Sequence, residues 1–238
     1  MRANELALTA AQMKQCDAYT IHEMGLPSMV LMERAALAVV DALLSGRDPS
    51  FDASYVLCVC GAGNNGGDGA AVARLLSITG ARAEILFVGE RAKASPETAQ
   101  QLEIAENYGV RLLENPAPEA LETLLSRSGV TTIVDALFGI GLSRPLTGLH
   151  RELIRACNAS PAKRLAVDIP SGVSADTGAV LGVATRADKT VVLAFQKLGL
   201  TKEPGKSLAG RTVIRDIGIT LPAGAVPGDS PQPGRAGR

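Results

Sequence analysis

The strongest constraint this chain places on its own fold is a change of character at residue 61. Tyr55-Val56-Leu57-Cys58-Val59-Cys60 is an unbroken apolar run. Gly61-Ala62-Gly63-Asn64-Asn65-Gly66-Gly67-Asp68-Gly69 follows it directly, with five glycines in nine positions. A short apolar run closed by glycine reads as a strand buried on both faces. Glycine lets the backbone turn sharply and lets another group approach it closely. Beyond it, Ala71, Val72, Leu75 and Leu76 recur at helical spacing as far as Gly80. Strand, glycine loop and helix N-terminus form the order that cradles phosphate, because free amides and the helix dipole both face the loop.

The rest of the sequence alternates in the same way. Thr9-Ala10-Ala11-Gln12 fits a capping box, and the helix it opens runs to about Met24, with Gly25 as its stop and Pro27 beyond. Ser28 is read as the cap of a second helix carrying Met32, Ala36, Val39 and Leu43 on one face, closed by Gly46. After the glycine loop and its helix come a strand at 83–89, a helix opened by Ser95-Pro96 and stopped by Gly109, a strand at 111–114 and a helix at 119–128. Strands at 131–138 and 164–169 flank a helix at 149–158, and two further β runs lie at 189–195 and 211–217. Strands separated by helices of about a dozen residues imply βαβ units and a parallel sheet covered on both faces. The expected fold is three-layer, doubly wound α/β, Rossmann-like with a mostly parallel sheet, preceded by a two-helix extension. One domain is expected over residues 1–220, with 221–238 as a disordered Pro/Gly-rich tail or linker.

Composition narrows the function classes. Lys+Arg and Asp+Glu both number 24, so no global basic field recruits nucleic acid, and at 3% aromatic content base-stacking platforms are hard to build. The four cysteines form no CxxC pair and only two histidines are present, which argues against a zinc site. Cys58 and Cys60 share one face of a strand and read as small core residues in a reduced, cytoplasmic protein. The N-terminal residues lack the apolar core of a secretory signal, and no apolar run reaches the roughly 20 residues that cross a bilayer. A small-molecule partner is expected, with no membrane association.

Three unusual motifs fall at expected strand ends: the glycine loop, Asp135-Ala136-Leu137-Phe138-Gly139-Ile140-Gly141 and Asp168-Ile169-Pro170-Ser171-Gly172. Ligands of open α/β sheets bind at such ends, near the point where strand order reverses. With Tyr55–Cys60 counted as strand one, an order 3-2-1-4-5 would bring all three motifs to one cleft. Asn65, Asp135 and Ser171 then offer one oxygen each to a hard cation. Asp168, at a strand end, is placed for proton transfer. Plainer roles stand beside these: Asp68 and Ser171 as caps, Asp135 as acceptor for loop amides, Asp168 in a turn ahead of Pro170. Lys197 is read as an exposed lysine with a phosphate contact as the alternative, and His22 and His150 as structural or solvent-facing. Gly61-x-Gly63-x-x-Gly66 also matches the dinucleotide fingerprint of an ordinary NAD(P)-dependent enzyme, with Glu90 where a ribose-binding acid belongs. That fingerprint requires neither Asn-Asn nor the two later motifs.

Taken in order, Leu31-Met32-Glu33-Arg34-Ala35-Ala36, Gly63–Gly69, Asp135–Leu142, Asp168–Gly172, Asp176-Thr177-Gly178 and Lys197-Leu198-Gly199-Leu200 resemble the NAD(P)H-hydrate epimerase family, also called the YjeF N-terminal domain. The similarity spans roughly residues 8–219. It implies an isomerase that interconverts the R and S epimers of hydrated NADH or NADPH in nicotinamide cofactor repair. A dehydratase, separate or fused, would consume the S epimer at the cost of ATP or ADP. It further implies that Asn64, Asn65, Gly66, Gly67 and Asp68 contact the hydrate, as do Gly139, Ile140, Gly141, Leu142, Ser143, Arg144 and Pro145 of a second loop, together with Asp168. Potassium would be held by Asn65, Asp135 and Ser171. Ile140 departs from the pattern, where threonine is expected more often. Asp168 is assigned the proton transfers at the departing and returning oxygen. Members of the family also serve as non-catalytic binding or scaffold modules, and the presence of Asn65, Asp68, Asp135, Asp168 and Ser171 argues against that role here. A homodimer through the N-terminal helices is expected from the apolar residues Met29, Val30 and 32–36.

Overall fold

The structure is a computed structural model and describes residues 6–45, 50–127 and 129–222. Seven strands form one parallel sheet: β2 (Tyr55–Gly61), β3 (Arg82–Val88), β4 (Arg111–Glu114), β5 (Thr132–Ala136), β6 (Lys163–Val167), β7 (Lys189–Leu193) and β9 (Arg211–Arg215). Their order is β4-β3-β2-β5-β6-β7-β9. The chain therefore winds outward from β2 in one direction, returns to β5, and winds outward in the other. This is the order anticipated above, and the switch point lies between β2 and β5.

Among the described residues, seven α-helices accompany the sheet. Helices α2 (Ser28–Leu44), α3 (Asn64–Ile78) and α4 (Pro96–Asn107) cover one face, packing residues such as Val39, Val72 and Leu102 against Val56, Cys58, Ile85 and Val134. Helices α5 (Pro118–Arg127) and α6 (Gly148–Ala159) cover the other, with Leu121, Leu153 and Ile154 against Leu57, Val59, Leu86 and Ile133. Strand residues alternate between these two cores, and both cores are apolar, which is why the strands read as continuous apolar runs. Cys58 and Cys60 lie in the same core, as expected.

The N-terminal extension is tied to the sheet at its far end. A short strand β1 (Ala7–Leu8) pairs in parallel with β8 (Gln196–Lys197), with Leu8 opposite Lys197. Helix α1 (Ala10–His22) follows at once, opened by the expected capping box: Thr9 Oγ1 accepts from Gln12 N–H at 3.2 Å and Gln12 Oε1 accepts from Thr9 N–H at 2.9 Å. Ala10 N–H donates to Asp176 Oδ1 at 2.7 Å, so the Asp176-Thr177-Gly178 motif anchors α1. A short helix α7 (Gly205–Leu208) precedes β9.

Several boundaries differ from expectation. Helix α3 begins at Asn64, so Asn64–Gly69 is the opening of a helix and not a loop; glycine and asparagine have low helix propensity and concealed it. Pro27 occupies the cap position of α2, and Ser28 is the first helical residue, its hydroxyl donating to Glu97 Oε1 at 2.6 Å. Strands β5 and β6 end at Ala136 and Val167, earlier than their apolar runs suggest, and the residues beyond them turn into the cleft. Gly46 and Ser128 lie outside the described residues, as does the tail from 223; Leu221 packs against the main core.

At the switch point two backbones meet. A Cβ on Gly61 would overlap the carbonyl oxygen of Leu137, and one on Gly66 would overlap the carbonyl of Gly61. Gly61→Ala is expected to destabilise the fold by about 2–3 kcal/mol, the range for overpacking. Gly141→Ala, where nothing lies within 4 Å of the added carbon, is expected to change the denaturation midpoint little.

Candidate active site

A cleft of about 730 Å³ opens over the carboxyl ends of the central strands. One wall is the start of α3, with Asn64, Asn65 and Asp68. The second is the segment after β5, from Leu137 to Arg144. The floor carries Asp168 and Lys197, and the roof comes from the N-terminal extension, with Met13 and Asp17 of α1 and Leu31 and Met32 of α2. The three motifs expected at strand ends therefore do meet.

Most of the implied substrate residues line this space: Asn64, Asn65, Asp68, Gly139, Ile140, Gly141, Leu142, Ser143, Arg144 and Asp168. The others lie elsewhere. Gly66 is packed on the Gly61 carbonyl, and a side chain on Gly67 would run into Met32 and Thr98, so both serve the seating of α3. Pro145 is exposed beyond the cleft. Asp135 and Ser171 sit beneath it, both buried.

Asp168 follows the last residue of β6 with φ +67°, a left-handed conformation that aspartate tolerates better than most residues. This turn lifts the carboxylate toward the cleft. Its Oδ1 accepts from Leu193 N–H at 3.0 Å and forms an ion pair with the ammonium of Lys197. Lys197 is fully buried, and its Nζ also donates to the carbonyl of Leu193 at 2.6 Å. The lysine expected on the surface is thus the counter-ion of the central carboxylate. The Lys197-Leu198-Gly199-Leu200 motif marks the segment, but its burial depends on contacts distant in sequence, among them the pairing of its strand with Leu8.

Two further carboxylates face the same charges. Burial, and after it the charge of Asp168, pushes Asp17 up to about 6, with Lys197 opposing. Burial holds Asp68 well above the usual carboxylate range, reinforced by Asp168 and then Asp17. Asp68 lies inside α3, which Gly63 caps, so it is not the cap that its position ahead of an apolar run allowed. No local motif marks Asp17, which in the sequence is one aspartate on a helix.

Asp135 accepts from Ser171 N–H at 2.8 Å and from the Ser171 hydroxyl at 2.6 Å, and that hydroxyl accepts from Phe138 N–H at 2.8 Å. Burial raises the Asp135 carboxyl, while the Ser171 bonds lower it. Nearby, Asn65 lies against the backbone of Gly139, and its buried Nδ2 has no hydrogen-bond partner. The unpartnered Nδ2 leaves the Asn65 carboxamide free to present its oxygen by turning half a rotation, and carboxamide, carboxylate and hydroxyl oxygens are the donor types a hard cation takes. The described residues contain no group of three His, Cys, Asp or Glu side chains suited to a metal ion. His150 packs against Phe138 with ring centroids 5.1 Å apart, and burial lowers its pKa. Glu90, the acid a dinucleotide fingerprint would place on a ribose, pairs instead with Lys93 at 2.6 Å outside the cleft.

With the site assembled, its kinship can be read. Residues 28–199 match the family described as YjeF-related protein N-terminus, a stretch that contains all three motifs. The chain belongs to this family. It is 46% identical over 213 residues to a Levilactobacillus brevis protein named NAD(P)H-hydrate epimerase, covering 90% of this chain and 94% of that one. A relative of the same name from Oenococcus oeni is 46% identical over 215 residues, covering 90% and 98%. The crystal structure of yeast ynu0, YNL200c, superposes with a TM-score of 0.71 over 89% of this chain and 88% of that chain; at 23% identity it speaks for the fold. None of the helices in the described residues is long and apolar enough to cross a membrane.

The crowding of carboxylates makes a stability prediction. A carboxylate whose folded pKa is raised costs stability above its unfolded value of about 3.9, and the cost grows with pH until the folded pKa is passed. Asp68→Asn removes that cost. Relative to the parent, the variant is expected to gain more stability at pH 8 than at pH 5, measured as the shift in denaturant midpoint.

Proposed function

We propose that this chain is an NAD(P)H-hydrate epimerase, an isomerase acting on the R and S epimers of hydrated NADH and NADPH. What carries the reading is 46% identity over about nine-tenths of the chain to proteins of that name. The cleft agrees with it chemically. The substrate bears a hydroxyl at C6 of the reduced nicotinamide ring, next to the ring nitrogen. The nitrogen lone pair forms a double bond to C6 as the hydroxyl departs, leaving a planar cationic ring. Water then returns to either face.

Asp168 supports this chemistry in two ways. Lys197 and the Leu193 amide hold it as an oriented carboxylate, which stabilises positive charge developing on the ring and accepts a proton from the returning water. The walls formed by Asn64, Asn65 and Asp68 and by 139–144 position the ring and its ribose, and the free amides at the start of α3 suit the diphosphate. Asn65, Asp135 and Ser171 would hold a potassium ion, whose chemistry is to organise the two loops electrostatically. On this reading the product S epimer would supply an ATP- or ADP-dependent dehydratase, and the enzyme would act in the cytoplasm. A homodimer would use the exposed stripe Val30, Leu37 and Leu44 on α2, because Met32, Ala35 and Ala36 are already buried within the chain.

The test is a chiral assay in which the R hydrate is supplied and its conversion to S is followed. Conversion well above the spontaneous rate is expected, and a rate equal to the spontaneous one would remove the reading. Asp168→Asn is expected to lower kcat by about 10²–10⁴-fold, the span of a lost acid–base group. Exchange of potassium for lithium is expected to reduce the rate, with refilling by potassium restoring it; an unchanged rate would take the ion out of the site.

A further inference from the structure

The N-terminal extension brings a second ionisable group to the reacting centre. Asp17 lies on the face of α1 that lines the cleft, in register with Met13 and Ile21, while Cys16 and Thr20 turn into the core. Its helix is not loosely laid over the site. The strand ahead of it pairs with the strand that carries Lys197, and its first amide is held by Asp176. Asp17 is therefore positioned by the same backbone that positions the counter-ion of Asp168.

We propose that Asp17 is the general acid of the epimerisation, donating the proton that lets the C6 hydroxyl leave as water, while Asp168 is the base. The inference rests on the epimerase reading. Epimerisation by loss and return of water needs both an acid and a base, and Asp168, paired with the buried ammonium of Lys197, is placed as the base. Lys197 forms its ion pair with Asp168, so of the carboxyls that feel one another's charge here a proton is favoured on one that lacks this pair. That carboxyl is Asp17, whose ordinary value is raised to about 6 by burial and by Asp168. The other charged groups around the cleft are Asp68 of α3, itself raised by burial, by Asp168 and by Asp17, and Lys14 and Arg144 at the cleft's edge; Cys16, beside Asp17 in sequence, has its own thiol pushed up by burial and then by Asp17.

The step balances. The C6–O bond breaks with its electron pair on oxygen, that oxygen takes the Asp17 proton and departs as water, and the nitrogen lone pair becomes the new C–N π bond. In the return, a water oxygen bonds to C6 from the other face, the π pair goes back to nitrogen, and the water's extra proton passes to Asp168. Transfer of that proton from Asp168 to Asp17 restores the starting state, and the S-to-R direction runs the same events with the roles exchanged.

The test is the pH dependence of enzyme-catalysed R-to-S conversion, corrected for the spontaneous rate, in the parent, Asp17→Asn and Asp17→Glu. The parent is expected to lose kcat/KM above an apparent pKa near 6, about tenfold for each further pH unit, as the acid form of the free enzyme is titrated away. Asp17→Asn is expected to lose about 100-fold or more in kcat with KM changed less than about threefold, and to lose this alkaline limb. Asp17→Glu is expected to regain at least tenfold over Asp17→Asn and to show the limb again. An active parent whose kcat/KM is flat from pH 5 to 8 overturns the inference alone, and this measurement needs no variant to fold. So does a folded Asp17→Asn that keeps the parent's kcat and limb. A parent inert at every pH overturns the epimerase reading itself, and the inference with it.

Discussion

The architecture of the site depends on how closely three pieces of backbone approach at the switch point. The end of β2, the first turn of α3 and the segment after β5 are packed so that Gly61 touches the Leu137 carbonyl and Gly66 touches Gly61. Gly69 lies on Cys60 and Ala136 in the same way. Glycine inside a helix costs roughly 0.5–1 kcal/mol relative to alanine, so a run of them at the start of α3 would be a poor sequence for a helix alone. Here the cost is offset by the geometry it permits. With no Cβ atoms in the way, the helix N-terminus sits directly over the sheet's ends and Asn65 reaches the backbone of Gly139.

On this platform the chain assembles charges that stability alone would not select. Asp17, Asp68 and Asp168 share one lysine, and two of the three have raised pKa values. Buried polar groups favour stability only when fully partnered, and Asn65 leaves a buried amide without one. Both β6 and β7 are followed by a non-glycine residue in the left-handed region, Asp168 at φ +67° and Ala194 at φ +60°. Strain of this kind persists where the surrounding structure over-determines it, and it gathers at sites of ligand chemistry.

Much of this was legible in the sequence because it is local. The apolar runs, the Thr9 capping box, the Ser95-Pro96 helix start and the motifs at strand ends are written in contiguous residues, and the strand order follows from connecting them by the shortest winding. What was hidden is non-local or runs against average behaviour. The start of α3 reads as loop because its residues disfavour helix, and tertiary packing overrides that preference. Lys197 reads as exposed because lysines usually are; its strand pairs with residue 8 and its ammonium is held by Asp168 and Leu193, contacts distant in sequence. Asp17 has no motif at all, and its importance comes from neighbours more than a hundred residues away in sequence.

The two-helix extension is for that reason better regarded as part of the site than as an addition to it. A doubly wound sheet presents its strand ends on one side only, so a ligand bound there would remain open to water above. Here α1 and α2 supply the missing wall, with Met13, Leu31 and Met32 as its apolar surface. Excluding water strengthens every charge interaction beneath, including the Asp168–Lys197 pair. The anchors of α1 at Asp176 and at β8 then have a chemical reason: both segments follow β6 and carry, or adjoin, the groups that α1 faces. Sheet and extension thus converge on the same ion pair, one by a strained strand end and the other by a pairing across the length of the chain.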